Sequence, residues 1–72
     1  MTGAQLRAAR ELIGLSPVAL AVMIQFGERA VVDYEAGRPT LPKDSVDYLR
    51  RAFETSGVEF IRKEPGARLR KS

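Results

Sequence analysis

Helix-breaking residues divide this chain into short segments, and this division constrains its fold more than any other feature of the sequence. Gly14, Gly27, Gly37 and Gly57 interrupt the chain, and two prolines in the stretch 39–42 add a further break. Helices shorter than about 12–15 residues are barely stable in water by themselves. The sequence therefore predicts a set of short helices that must pack against one another to be stable.

The size and composition of the chain exclude several classes of protein. Its 72 residues include neither Cys nor His, so one small core must be stable without disulfides or thiolate zinc sites, and the commonest general base is missing. No apolar run approaches the roughly 20 residues of a membrane span, and residues 1–5 lack the pattern of a signal peptide. We expect a cytoplasmic binding module without enzymatic activity, cofactor, metal site or membrane contact.

Four helices are predicted from the spacing of apolar residues and from capping signals. They span residues 4–13, 17–24, 28–36 and 43–56. Ser16 and Pro17 form the clearest start signal, because a hydroxyl can cap free backbone N–H groups and proline fits the first helical position. Gly27 can cap the third helix, although less well than Ser.

The periodicity of the sequence changes after Gly57. Residues 58–61 are rich in β-forming side chains, residues 67–70 alternate between small or apolar and charged, and a Pro-Gly turn signal lies between them. This pattern predicts a β-hairpin, which must pack on the helices or pair with a second copy because a two-stranded ribbon is marginal alone. The predicted organisation is a mainly α domain over 1–57, followed by a hairpin and a basic tail over 58–72.

The positive charge of the chain is concentrated at its C-terminal end. Residues 1–61 carry seven Lys/Arg and eight Asp/Glu, whereas residues 62–72 carry five Lys/Arg and one Asp/Glu. A basic segment of this kind indicates contact with nucleic acid or another acidic surface. A solubilising terminus has the same composition, so the charge of the tail does not distinguish the two interpretations.

Several short motifs resemble one family. Residues 6–10 are Leu-Arg-Ala-Ala-Arg, residues 14–16 are Gly-Leu-Ser, residues 20–21 are Leu-Ala and residues 34–38 are Tyr-Glu-Ala-Gly-Arg. Their order and spacing are similar to those of the repressor/Cro-type (XRE) helix-turn-helix family. The resemblance implies a four-helix, lambda-repressor-like domain in a DNA-binding transcription regulator of a bacterium or phage.

The same resemblance implies roles for residues around the third helix. In such domains the start of the third helix enters the major groove, while the start of the second helix and the loop after the third contact phosphate. The expected base contacts are Gly27, Glu28, Arg29 and Asp33. The expected phosphate contacts are Ser16, Pro17, Arg38, Thr40 and Lys43. Arg29 is suited to guanine, and either carboxylate to the amino group of cytosine.

Arg10 and Glu35 are expected to form a partly buried ion pair that joins the first helix to the third. A carboxylate near the C-terminal end of a helix opposes the helix dipole, so it needs a partner, and the resemblance implies that Arg10 is this partner. The planar guanidinium can bind a carboxylate through two N–H groups. The alternative is that the two residues are unrelated surface charges.

The sequence departs from the family pattern at the helices expected to bind DNA. Pro17 replaces a Gln, Gln25 replaces the turn glycine, and the third helix carries Glu28 and Asp33 against Arg29. If the turn residue is left-handed, its side chain costs about 1 kcal/mol of strain. Carboxylates without base partners oppose binding to a polyanion. These departures leave a function without DNA open.

Apolar residues on the second helix favour such a function. Val18, Val22 and Met23 occupy positions where the family has polar side chains, and clustered exposed apolar groups often mark protein contacts. Ordinary surface apolarity, or packing of a shifted helix, also explains them. Two functions thus remain: a transcription regulator on DNA, or a protein-interaction module such as an anti-repressor, adaptor or modulator.

The regulator interpretation predicts a homodimer on a pseudo-palindromic operator. The two third helices would lie in successive major grooves about 34 Å apart. Val58, Phe60 and Ile61 are expected to make or support the dimer, by strand pairing across a two-fold axis or by packing on the fourth helix. The expected partners are therefore double-stranded DNA and a second copy of the chain, with a protein partner as the alternative.

Overall fold

The computed structural model describes residues 1–61 and 66–69 and has the mainly helical architecture with a C-terminal hairpin that the sequence predicts. Its elements, in chain order, are α1 (Gly3–Ile13), α2 (Pro17–Ile24), α3 (Glu28–Glu35), α4 (Lys43–Thr55), β1 (Val58–Phe60) and β2 (Ala67–Leu69). Each helix begins and ends within one residue of its predicted bounds. None of the helices in this part of the chain has the length and apolar content that crossing a bilayer requires.

One core joins all six elements. Each helix contributes at least one fully or almost fully buried apolar side chain, and so does each strand and the loop before α4. Within the described residues these are Leu6, Ala9, Leu20, Ala21, Val31, Leu41, Leu49, Phe53, Val58 and Ala67. The short helices are therefore stabilised by packing against one another, as their length requires.

The turn between α2 and α3 sets the angle between these two helices. Gln25 ends α2 in the left-handed region, with φ 59° and ψ 42°. The next N–H group, that of Phe26, donates to the carbonyl of Ala21 at 2.9 Å and closes the turn. A left-handed conformation costs a non-glycine residue about 1 kcal/mol or more, so Gln25 stores the strain that its sequence position suggests. Gly27 then caps α3 without a side-chain hydrogen bond.

Helices α1 and α3 approach each other closely at one end. A Cβ atom on Gly3 would overlap the carbonyl oxygen of Tyr34, so only glycine fits at this position. The Tyr34 hydroxyl donates to the carbonyl oxygen of Met1 at 3.1 Å. Burial raises the pKa of the Tyr34 hydroxyl above its ordinary value. The end of α3 is thus fixed to the start of α1.

The hairpin packs on the helices. Its antiparallel register pairs Phe60 with Ala67 and Glu59 with Arg68, so one face is apolar and the other charged. The Phe60 ring meets Phe53 of α4 edge to face, with centroids 6.5 Å apart. On the outer face, Arg68 Nε lies 3.0 Å from Glu59 Oε2.

Val58, one of the residues expected to make or support the dimer, lies in the core. Its side chain is completely buried in its own chain, so any support that this side chain gives to a dimer comes from holding the hairpin in place. The hairpin is also fixed to α1, because Gln5 Nε2 donates to the carbonyl oxygen of Ile61 at 2.8 Å. Of the predicted basic tail, residues 62–65 and 70–72 lie outside the described residues.

Candidate nucleic-acid interface

Arg10 and Glu35 form a bidentate ion pair at the inner end of α3. Arg10 Nε donates to Glu35 Oε2 at 2.8 Å and Nη2 donates to Oε1 at 3.1 Å, while Nη1 donates to the carbonyl oxygen of Leu15 at 2.9 Å. The two side chains are only 13% and 7% exposed. The hydrogen bond to Glu35 raises the pKa of Arg10 despite the opposing effect of burial. One guanidinium therefore connects α1, the loop before α2 and the end of α3.

The start of α3 faces solvent. Glu28 and Arg29 at its start are exposed, and within residues 1–61 and 66–69 neither side chain makes a hydrogen bond or ion pair. Val32, one turn after Glu28, is 43% exposed, whereas Val31 beside it is completely buried. Helical geometry places Glu28, Val32 and Ala36 in one row, with Arg29 next to it. We call this the α3 outer face, defined by Glu28, Arg29, Val32 and Ala36.

Asp33 lies at the margin of this face and already has a partner. Arg38 Nη1 donates to Asp33 Oδ1 at 3.1 Å, and the aspartate side chain is only 20% exposed. The net negative charge of α3 is therefore offset by a cation from the loop that follows it. Asp33 is positioned to hold Arg38, and a base contact by Asp33 would require this pair to separate.

The expected phosphate contacts differ in the donors that they have left. The Ser16 hydroxyl oxygen accepts from the Ala19 N–H at 3.2 Å and keeps its proton to donate. Pro17 begins α2, and Lys43 begins α4 with an exposed side chain. Arg38 is 68% exposed, so its guanidinium can contact phosphate beyond its bond to Asp33.

Thr40 has no donor left for a phosphate. Its hydroxyl donates to the carbonyl oxygen of Ala30 at 2.6 Å, and its N–H donates to the carbonyl oxygen of Arg38 at 2.9 Å. The expected phosphate contact of Thr40 would break one of these bonds. Thr40 instead connects the loop after α3 to that helix through its hydrogen bond to Ala30.

A groove runs beside the α3 outer face, and sequence reasoning did not identify it. Its volume is about 320 Å³, and its lining combines the start of α2 with one side of α1 and α3. The lining residues are Arg7, Arg10, Pro17, Val32, Glu35 and Ala36. The signal for Val32 was its four-residue spacing from Glu28, but its apolar side chain did not suggest a contact with DNA.

A comparison with protein families agrees with the helical architecture described above. The family model described as a helix-turn-helix domain matches residues 2–60, which include α1 to α4 and β1. The chain belongs to this helix-turn-helix family. No curated protein and no solved structure matches it significantly. Within the family fold, α2, the turn at Gln25 and α3 form the helix-turn-helix motif, which suggests a DNA-binding regulator.

The outer side of α2 in this helix-turn-helix domain is apolar. Val18 and Met23 are exposed, and Val22 is 72% exposed, the most of any large apolar residue in the described chain. These three residues form the α2 patch. Met23 also lines a shallow groove with Tyr48 of α4. The shifted-helix explanation for these residues is therefore wrong for Val22, which packs into no core.

Proposed function

We propose that this helix-turn-helix protein is a transcription regulator of the repressor/Cro type that binds a pseudo-palindromic operator as a homodimer. The observation that carries this proposal is the α3 outer face. Its side chains project into solvent at the position where helix-turn-helix domains contact the major groove, and no described part of the chain covers them. The protein would act in the cytoplasm, where the DNA of a bacterium or phage is accessible.

The α3 outer face offers two polar base contacts. Arg29 can donate to both O6 and N7 of guanine, and Glu28 can accept from N4 of cytosine. Gly27 lies just before them and has no side chain, so the backbone can approach the edges of the bases. Both charged residues are unpaired within the described chain, so neither must leave an internal partner when it meets a base.

Phosphate contacts would surround this face. The Ser16 hydroxyl and the Val18 N–H would donate at the start of α2, at the positive end of the helix dipole. Pro17 has no N–H, and the N–H groups of Ala19 and Leu20 already donate to Ser16. Arg38 and Lys43 follow α3 in the chain and have exposed side chains. Thr40 is omitted from this set because its donors are used within the chain.

The hairpin is proposed to support the dimer with a smaller surface than the sequence suggests. Val58 is buried and Phe60 packs on Phe53, so both mainly hold the hairpin to its own chain. Ile61 is partly exposed, and Leu69 on β2 is 51% exposed. These two residues are the apolar groups of the described hairpin that a second copy could contact.

Selection of bound sequences from random duplex DNA tests the proposal. The selection is carried out at low and at moderate salt, and the mass of the protein in solution is measured in parallel. We expect enrichment of an inverted repeat whose half-sites lie about one helical turn apart, a dimeric mass on that DNA, and a steep loss of affinity with salt. Absence of enrichment at low salt would contradict the proposal.

A protein-interaction module is the second candidate, and the α2 patch favours it. The 72% exposure of Val22 is unusual for a side chain with no charged or polar group, and exposed apolar clusters tend to mark protein contacts. Under this alternative, the selection yields no enriched sequence at either salt concentration. The patch, and not the α3 outer face, would then be the functional surface.

A further inference from the structure

Three of the residues that line the groove beside the α3 outer face are apolar. Pro17 and Ala36 line it together with Val32, and Val32 is 43% exposed at the centre of the row of side chains that α3 presents. A valine in a helix has one strongly preferred rotamer, so its methyl groups are held in place before any ligand arrives. None of these three side chains can donate or accept a hydrogen bond.

Two of the three charged side chains in the same groove are already hydrogen-bonded within the chain and are not available to a ligand. Arg10 and Glu35 bind each other through two hydrogen bonds, and both are mostly buried. Arg7 lines the groove as well and is 65% exposed, so it adds positive charge at the rim. Among the described residues its side chain bonds only to Glu11, with 3.4 Å between Arg7 Nε and Glu11 Oε2. Because Glu11 is also exposed, such a pair is weak. The groove therefore combines an apolar lining with positive charge at its rim, and a nonpolar group that is attached to a polyanion is complementary to both.

We infer that Val32 recognises the C5-methyl group of a thymine in the operator, with Pro17 and Ala36 completing the apolar contact; this inference rests on the proposed function. Thymine is the only unmodified base that presents a methyl group in the major groove. An apolar side chain can distinguish bases there only through that group. The structure thus divides the α3 outer face between hydrogen-bonding residues at its start and a methyl-recognising residue one turn later.

Replacement of thymine by deoxyuridine tests this inference, because it removes only the methyl group. The duplex enriched by the wild-type protein is synthesised with each thymine of a half-site replaced in turn, and Kd is measured for wild type and for Val32→Ala. Alanine is a better helix former than valine, so this exposed substitution keeps the fold. Val22→Ala on the α2 patch is the matched control, since it shortens an exposed valine outside the groove.

One thymine per half-site is expected to lose about four-fold in affinity for wild type on replacement, as one buried methyl group implies. The same replacement is expected to reduce affinity less for Val32→Ala, in which only Pro17 and Ala36 still line the contact, and Val22→Ala is expected to behave as wild type. If no thymine position distinguishes wild type from Val32→Ala, the inference is overturned while the proposed function stands. If Val32→Ala binds every duplex as wild type does, Val32 makes no contact with a thymine methyl group, and the inference is again overturned.

Failure of the proposed function gives a different result. In that case the wild-type protein enriches no duplex at all, and no thymine series can be made. If a duplex is enriched but no replacement of thymine by deoxyuridine changes its Kd, only the methyl contact is overturned.

Discussion

Tyr34 and Glu35, which bond to Met1 and Arg10 and form the inner side of α3, differ from the α3 outer face in that their polar groups are already bound within the chain. On the inner side, Glu35 accepts two hydrogen bonds from Arg10, and the Tyr34 hydroxyl donates to the Met1 carbonyl. On the outer side, Glu28 and Arg29 have no partner among the described residues. An isolated helix of this length would be unstable. The comparison indicates that the inner side fixes the helix so that the outer side is free to bind.

This difference separates two kinds of substitution. A change on the inner side should lower the free energy of unfolding and affect DNA binding only through loss of the fold. A change on the outer side should alter affinity or sequence preference and leave stability nearly unchanged. Variants of Arg10, Arg29, Thr40 and Lys43 test that separation.

Removal of the guanidinium of Arg10 should have the largest effect. We expect Arg10→Met to lower the free energy of unfolding by about 3–5 kcal/mol, because Glu35 would remain buried without a partner. A domain of this size has a stability of only about that magnitude. Urea unfolding followed by circular dichroism measures the change, and much of the variant should be unfolded without denaturant.

Two further variants control this result. Arg7→Met removes an exposed ion pair with Glu11 and should cost less than about 1 kcal/mol. The double variant with Arg10→Met and Glu35→Gln should recover part of the lost stability, because no buried charge remains unpaired. An Arg10→Met protein that unfolds at the same urea concentration as wild type would show that this pair does not fix α3.

Arg29 on the outer side should determine sequence preference. We expect Arg29→Ala to reduce discrimination against non-guanine bases at one position of each half-site by about 1–3 kcal/mol, with urea unfolding unchanged. Competition binding between the selected duplex and its single-base variants measures this preference. Equal weakening on all duplexes would instead assign Arg29 to the phosphate backbone.

Thr40 should behave as an inner-side residue although it lies in a loop near the expected DNA. Thr40→Val removes the hydroxyl that donates to Ala30 and should cost about 1 kcal/mol of stability. Its affinity for the selected duplex, measured under conditions where it is fully folded, should equal that of wild type. A lower affinity together with a shallower salt dependence would show that Thr40 contacts phosphate after all.

Lys43 should show the smallest effect and the opposite pattern. Lys43→Ala is expected to leave stability unchanged and to weaken binding to all duplexes by a similar factor. The slope of log affinity against log salt concentration should become shallower by about 0.9, as the loss of one phosphate contact implies. Titrations at several salt concentrations measure that slope, and an unchanged slope would remove Lys43 from the interface.

The sequence predicted the helices well because their ends carry local signals. Ser16 followed by Pro17 marks the start of α2, and Gly27 and Gly57 mark breaks that the backbone respects. The change of periodicity after Gly57 likewise predicted the hairpin. These signals depend on residues that are adjacent in the chain, so they can be found without knowledge of the packing.

The roles of individual side chains were harder to predict because they depend on partners distant in sequence. Thr40 was expected to contact phosphate, yet its hydroxyl is used by Ala30 ten residues away. Val58 was expected to make or support a dimer contact, and its complete burial in the core of its own chain could not be read from the hairpin pattern. Val32 was overlooked because its residue type, unlike its position, does not suggest recognition of DNA.

Amide chemical shifts of the isotope-labelled protein, recorded as the selected duplex is added, test whether the α3 outer face is the surface that contacts DNA. If the α3 outer face contacts DNA, the largest changes should fall on residues 27–33 and on the first turn of α2. Changes concentrated at Val22 and Met23 on the α2 patch, with residues 27–33 unaffected, would contradict it.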